Sequence, residues 1–175
     1  MQVKDLYSHL RVLPDYPEEG HNFYDITAIL ENNEAFKLTI EELAKPYEGE
    51  IIDKVVSIDS RGLMLAAPLA FYLGCGLSII RTDGKSPYKN INQVHEIETD
   101  SKSLELHIKA IHEGEKIVIV DDVLATGNTM RATIDLVHKA KAEIVGISFL
   151  IELSYKNGKE NISHFPIYSV LTFDE

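Results

Sequence analysis

The sequence has no tryptophan and a single cysteine, Cys75. One thiol excludes an internal disulfide framework and suits a reducing compartment. Long apolar runs are missing too. No stretch approaches the roughly 18 uninterrupted apolar residues of a membrane span. Met1, Gln2, Val3, Lys4 and Asp5 lead into no signal-peptide core, so a cytoplasmic protein with no membrane partner is expected. Cations are scarce, with 17 Lys and Arg against 28 Asp and Glu, for a formal charge of −11. That balance argues against nucleic acid as a partner, because gripping the phosphate backbone needs an electropositive face. An anionic small molecule would have to be held by a few local cations or by backbone amides. The seven histidines show no H-E-x-x-H spacing, and His107 and His112 are five apart, so no zinc site is expected. Repeats, low-complexity tracts and long linkers are also missing, which predicts one domain over residues 1–175.

What is present is an ordinary globular composition, 45% hydrophobic and 26% charged over 175 residues, enough for a sizeable core. Ile51, Ile52 and Val55 to Ile58 read as a buried strand. An apolar helical run follows from Leu63 to Leu73, stopped by Gly74 and kinked or shortened by Pro68. Leu77 to Ile80 and Ile117 to Val120 read as further strands. Met130, Ile134 and Val137 fall at helical spacing before another buried strand, Ile144 to Ile151. Strand and helix in alternation predict an α/β fold with a largely parallel central sheet flanked by helices. Phe36, Ile40 and Leu43 mark an amphipathic helix over about residues 34–45. Residues 11–25 read as an irregular excursion over the core, residues 82–92 as a long mobile loop, and 94–109 as a hairpin.

The most informative stretch is Val118-Ile119-Val120-Asp121-Asp122-Val123-Leu124-Ala125-Thr126-Gly127-Asn128-Thr129. An apolar strand ends in two carboxylates, and a small-residue turn leads into a helix. Ligands of open α/β sheets bind beyond the carboxyl ends of strands. Helix N-termini offer unpaired N–H groups and a positive dipole end to phosphate. Thr126 to Thr129 are placed to wrap a phosphate, and Asp121 and Asp122 to accept hydrogen bonds from sugar hydroxyls. An acidic pair alone would more simply cap a helix, but the complete run D-D-x-x-A-T-G-x-T is far more specific. It is neither a Walker A loop nor a G-x-G-x-x-G dinucleotide loop.

This run resembles the 5-phosphoribosyl-1-pyrophosphate-binding pattern of the type I phosphoribosyltransferases. The likeness to their adenine-using branch extends over nearly the whole chain. Pro14-Asp15-Tyr16-Pro17-Glu18-Glu19-Gly20 with Phe23 and Asp25-Ile26-Thr27 is similar to that branch's N-terminal motif. Asp59-Ser60-Arg61-Gly62 is similar to its pyrophosphate turn, and Arg81, Gly84, Lys85 and Pro87 to its cationic loop. Ile151-Glu152-Leu153-Ser154 and Pro166 to Leu171 also match.

The resemblance implies the type I phosphoribosyltransferase fold, with a small hood over about residues 1–33 and a mobile loop over about 82–100. It also implies transfer of phosphoribosyl to adenine, giving AMP and pyrophosphate, with Mg²⁺ as cofactor and a homodimer as the assembly. Carried over residue by residue, Ala125, Thr126, Gly127, Asn128 and Thr129 hold the 5′-phosphate. Asp121 and Asp122 serve the ribose and its Mg²⁺, with no direct protein ligand to the metal assigned. Ser60, Arg61, Gly62, Arg81 and Lys85 meet the pyrophosphate. Glu98 and Arg61 are catalytic, Glu98 as an acid–base group facing the purine. Asn22, Phe23, Tyr24 and Leu153 surround the base, with Asn22 and Tyr24 contributing through their main chains.

The sequence departs from the pattern at Asn22, Tyr24, Thr82, Ser86, Thr99 and Asp100. These positions touch the base and the loop and leave the phosphoribosyl motif whole. A phosphoribosyltransferase for another purine or purine-like base is therefore the rival reading. A non-catalytic ligand sensor is weaker, since no basic helix suits DNA. A receiver-like phosphoacceptor is also weaker, because a phosphate-cradling turn follows the aspartates at once.

Overall fold

Val55 and Val56, Ile119 and Val120, and Phe149 and Leu150 each send neighbouring side chains into different hydrophobic clusters. Such runs are apolar throughout because both faces of the sheet are covered. A computed structural model describes residues 1–16, 18–20, 22–82, 85–87, 94–99 and 103–175. Among the described residues the strands are β1 (Arg11–Leu13), β2 (Phe23–Asp25), β3 (Lys54–Ile58), β4 (Gly76–Thr82), β5 (Val94–Glu98), β6 (Ser103–His107), β7 (Lys116–Leu124), β8 (Glu143–Leu153) and β9 (Ile167–Phe173). The α-helices are α1 (Val3–Leu6), α2 (Thr27–Glu31), α3 (Asn33–Ala44), α4 (Leu63–Leu73) and α5 (Asn128–Lys139).

The larger sheet runs β5-β6-β4-β3-β7-β8-β9. From β4 to β9 neighbouring strands are parallel, while β6 pairs antiparallel with both β4 and β5. One face carries α3 and α4, whose Leu43, Leu65 and Leu69 are fully buried beside Val55, Val120 and Leu150. The other carries α5, whose Met130, Ile134, Leu136 and Val137 pack with Val56, Ile119 and Phe149. Each such side chain contributes about 1.5–3 kcal/mol by leaving water.

Several expectations change in detail. β3 starts at Lys54, and Ile51 stays 76% exposed. The chain enters the sheet only where the Asp53 N–H donates to the Lys116 carbonyl at 2.9 Å and the Asp53 carboxylate accepts the Lys116 N–H at 2.7 Å. Pro68 does not shorten α4, which runs unbroken to Gly74 in the left-handed conformation. The carbonyl left without its donor belongs to Met64, on the exposed side of the helix, where water can serve it. Residues 11–25 hold a short antiparallel pair, Arg11 opposite Asp25 and Leu13 opposite Phe23, where an irregular excursion was expected. β7 continues through Asp121 and Asp122 to Leu124, so the carboxylates belong to the strand itself. Most of residues 82–92, along with Asp100, lies outside the described residues.

At the sheet's outer edge the Tyr7 hydroxyl donates to the Thr172 carbonyl at 3.1 Å and accepts from its N–H at 3.0 Å. In the interior, the Tyr47 hydroxyl meets Ser148 Oγ at 2.7 Å. The Tyr47 ring fills the space beside Gly146, where a Cβ would lie 2.9 Å from it. Burial pushes the Tyr47 hydroxyl up to about 12, against the hydrogen bond to Ser148. An unfolded tyrosine ionises near 10. Above that pH the unfolded chain releases a proton that the folded chain keeps, so this contribution is whole below about pH 10 and is lost as pH climbs towards 12. Tyr47→Phe is expected to flatten the fall of unfolding free energy across that window, measured by urea denaturation. Equal slopes in both proteins would assign the alkaline loss to other groups.

Candidate active site

Two crossovers meet at the carboxyl ends of the central strands. The first leaves β3 through Asp59, Ser60, Arg61 and Gly62. The Asp59–Ser60 peptide is cis. The Asp59 N–H donates to the Ile80 carbonyl at 2.9 Å, tying the turn to β4. Gly62 opens α4 in direct contact with β7. A Cβ there would stand 2.6 Å from Asp121 Oδ1 and closer still to Ser57 Oγ. Only glycine lets this turn lie against the aspartate.

The second crossover leaves β7. Asp121 Oδ1 accepts the Asp122 N–H at 2.9 Å. Asp122, 6% exposed, meets Arg61 Nε at 2.9 Å through Oδ2. This contact is an ion pair, for no donor is well aligned on that oxygen. Ser60, Arg61, Gly62, Asp121, Asp122 and Thr129 line one open cavity of about 350 Å³. A smaller one, about 100 Å³, is bounded by residues 123–127, Thr129, Met130 and Phe149. Thr129 and Asp121 border both. Gly127, at φ +78°, is the N-cap of α5, and no side chain caps the helix. The N–H groups of its first turn therefore face a cavity without a side-chain acceptor, where an anion is favoured.

Gly127 has a different reason to be glycine than approach to a ligand. Its Cβ would lie 2.6 Å from the Gly158 carbonyl, behind the loop. The turn at Gly158–Ile162 was not singled out from the sequence. Its one signal was the Asn157-Gly158 dipeptide, a turn marker.

Towards β2, the Arg61 guanidinium lies 5.2 Å from the Phe23 ring centroid. Tyr16 meets the Phe23 ring edge-on, with centroids 5.5 Å apart. Asp25 accepts from Thr27 N at 2.9 Å and Thr27 Oγ1 at 2.8 Å. The Thr27 N–H is the main reason its carboxyl lies below the usual range. The Tyr24 ring turns into the core against Phe173, at 4.5 Å, leaving only its main chain for a ligand. Burial raises the Tyr24 hydroxyl, helped by Tyr155 and opposed by a hydrogen bond with Asn22. Two of the six residues that depart from the family pattern are thus partners of each other. Leu153 is 7% exposed and packs in the core cluster with Tyr24.

Glu98 ends β5, exposed, and shares a cavity of about 310 Å³ with Asn128, Thr129 and Arg131. Phe23, Tyr24 and Leu153 do not line that cavity. Arg81 and Lys85 stand apart from the cavity that holds Arg61. Lys85 is exposed, its N–H bonded to the Thr82 carbonyl at 3.2 Å, while the Ser86 N–H donates to buried Glu105 at 3.2 Å. Gly84 lies outside the described residues. Among the described residues no three His, Cys, Asp or Glu side chains converge as a metal cage, and no helix is long and apolar enough to cross a membrane.

Residues 26–174 match the phosphoribosyl transferase domain family. The adenine phosphoribosyltransferase of Anaeromyxobacter dehalogenans is 43% identical over 166 residues, covering 95% of this chain and 96% of that protein. That of Acetivibrio thermocellus is 44% identical over 171 residues, covering 97% and 99%. The crystal structure of adenine phosphoribosyltransferase from Thermoanaerobacter pseudethanolicus superposes with a TM-score of 0.92 at 37% identity, covering 98% of this chain and all of that one. The enzyme from Giardia lamblia, complexed with 9-deazaadenine, gives 0.90 at 29% identity, covering 100% and 99%. Relatives this similar along their whole length, with the family match over residues 26–174, establish that the chain belongs to the phosphoribosyltransferases, in the adenine phosphoribosyltransferase family.

Proposed function

We propose that the protein transfers the phosphoribosyl group of 5-phosphoribosyl-1-pyrophosphate to adenine, releasing AMP and pyrophosphate as a purine-salvage step in the cytoplasm. The observation that carries this reading is the pair of adjoining cavities that share Asp121 and Thr129. The smaller one, at the uncapped start of α5, suits a 5′-phosphate held by residues 125–129. The larger one suits the ribose, at Asp121 and Asp122, and the pyrophosphate, at Ser60, Arg61 and Gly62.

Breaking the bond between the anomeric carbon and pyrophosphate leaves positive charge on the sugar and negative charge on the departing oxygens. Cationic and N–H donors fixed beforehand at the leaving group lower that barrier. Arg61 takes this role from its place beside Asp122 and Phe23, and Arg81, from the end of β4, and Lys85 add to it. Asp121 and Asp122 orient the ribose hydroxyls. With two neighbouring carboxylates at the strand end and no protein cage among the described residues, the site fits Mg²⁺ held chiefly by substrate oxygens, the usual mode for that ion. When bound, Mg²⁺ supplies charge neutralisation at the phosphate and ribose oxygens. Phe23 stacks on the base and Leu153 closes its other face, while the main chains of Asn22 and Tyr24 meet its polar edge. In this reading residues 1–175 are a single domain with a hood over about residues 1–33; the loop expected over about 82–100 lies partly outside the described residues, and its 94–98 part is β5.

Initial rates with adenine, hypoxanthine, guanine and xanthine, each with 5-phosphoribosyl-1-pyrophosphate and Mg²⁺, test the reading. Adenine is expected to be fastest, since an edge built for an amino group leaves buried donors or acceptors unmatched against a 6-oxo purine. Faster turnover of a 6-oxo purine would favour the rival base and spare the phosphoribosyl site.

Glu98 is proposed to exchange a proton with the purine in the transition state. Glu98→Gln keeps the size and removes the base, so kcat should fall by roughly 10² to 10⁴ with little change in substrate affinity. A variant with wild-type kcat would return Glu98 to the role of a solvated hairpin residue.

A homodimer is proposed through the outer face of α4. Phe71 is 90% exposed there, next to the exposed Met64 and Tyr72. A large apolar stripe on a lone chain marks an interaction surface, and a self-complementary face closes most simply as a two-fold pair. Sedimentation velocity should show the wild type as a dimer and Phe71→Asp shifted to monomer. A wild-type monomer would end this proposal.

A further inference from the structure

The turn at Gly158–Ile162 touches the loop of residues 125–127 from behind at three points. Asn161 Nδ2 donates to the Thr126 carbonyl at 2.7 Å. The Gly158 carbonyl occupies the place of a Gly127 side chain. In return, a Cβ on Gly158 would collide with the Ala125 carbonyl and stand 2.9 Å from Leu124. The turn is itself well anchored. Ile162, 2% exposed, packs in the cluster that holds Met130, Ile134 and Val137 of α5. Lys159 reaches Glu152 at 2.6 Å, and Glu152 lies beside Leu124 in the sheet, at the root of the loop.

A trans peptide points its C=O and N–H in opposite directions. Drawing the Thr126 carbonyl towards Asn161 therefore turns the Gly127 N–H away from it. Asn161 approaches from outside the small cavity that Thr126 and Gly127 line, for it borders a different one with His138 and His164. The pinned peptide thus aims its donor to the ligand side before any ligand arrives. Donors held in place in advance spend no free energy on reorganisation when the anion binds.

We infer that Asn161 is a positioning residue for the 5′-phosphate, acting through the Thr126–Gly127 peptide, with Gly158 as the backstop that holds the loop against it. The inference rests on the reading of residues 125–129 as the phosphate cradle. It concerns a side chain that touches no substrate atom, and its effect should follow the phosphate and spare the nucleoside.

The test is a pair of affinities, AMP and adenosine, measured calorimetrically on the whole protein. In the wild type AMP should bind much the tighter. Asn161→Ala should weaken AMP by about three- to tenfold, the worth of one hydrogen bond, and leave adenosine and the melting temperature nearly unchanged. Gly158→Ala, which forces the loop forward by direct collision, should weaken AMP more, again with adenosine spared. A general loss of packing would lower both affinities together, so an equal fall in AMP and adenosine overturns the inference. An unchanged AMP preference in both variants overturns it as well, while the cradle itself stands. A wild type that binds AMP no better than adenosine would remove the cradle, and the positioning role with it.

Discussion

A single missing side chain sets the geometry on which the rest of the site depends. Gly62 lets the turn after β3 close against Asp121 of β7, at a separation where even a methyl group would stand 2.6 Å from the carboxylate. The turn after β3 and the carboxyl end of β7 thereby become one surface. The start of α4 is consequently seated against the side chains of Ser57 and Asp121, towards the ends of β3 and β7. Arg61 inherits its place from this contact, since the residue before Gly62 is delivered next to Asp122 whatever its own rotamer.

The electrostatics follow from that compression. A chain of charge −11 proposed to bind a polyanion cannot rely on its long-range field, which repels such ligands. Attraction must be local and built from donors within contact range. Arg61, the N–H groups opening α5 and the loop amides are the proposed source of it, beside Asp121 and Asp122 in the same cavity. Pairing Arg61 with Asp122 in the absence of substrate also limits the cost of holding a carboxylate in a nearly buried position, because an isolated buried charge would be far more expensive.

Much of this was legible in the sequence, for identifiable reasons. Buried strands such as Val55 to Ile58 and Ile117 to Val120 announce themselves as continuous apolar runs, and α5 by Met130, Ile134 and Val137 at helical spacing. Gly74 marked a helix end because the left-handed conformation there favours glycine. The strand-to-helix turn between Asp121 and Thr129 was readable because an apolar strand, a glycine and a helical start follow one another within a few residues. What was not legible depends on contacts between distant segments. Nothing local shows that Gly127 is glycine because of the Gly158 carbonyl, or that Asn161 reaches Thr126 across 35 positions. The short β1–β2 pair escaped for the same reason, its register resting on partners such as Arg11 and Asp25. Pro68 misled because its cost depends on whether the orphaned carbonyl is buried, which spacing alone does not reveal.

The phenol of Tyr7 has a consequence of a different kind. A sheet that ends in β9 presents backbone donors and acceptors along its open side, ready to template pairing with another chain. By donating to the carbonyl and accepting from the N–H of Thr172, one hydroxyl fills both hydrogen-bonding groups of an edge residue, as a neighbouring strand would. Its ring also packs against Phe173 at 5.3 Å. Tyr7 thus acts as a one-residue guard against edge-to-edge aggregation, and the brief helical segment at the N-terminus contributes to the protein's colloidal behaviour as well as to its core.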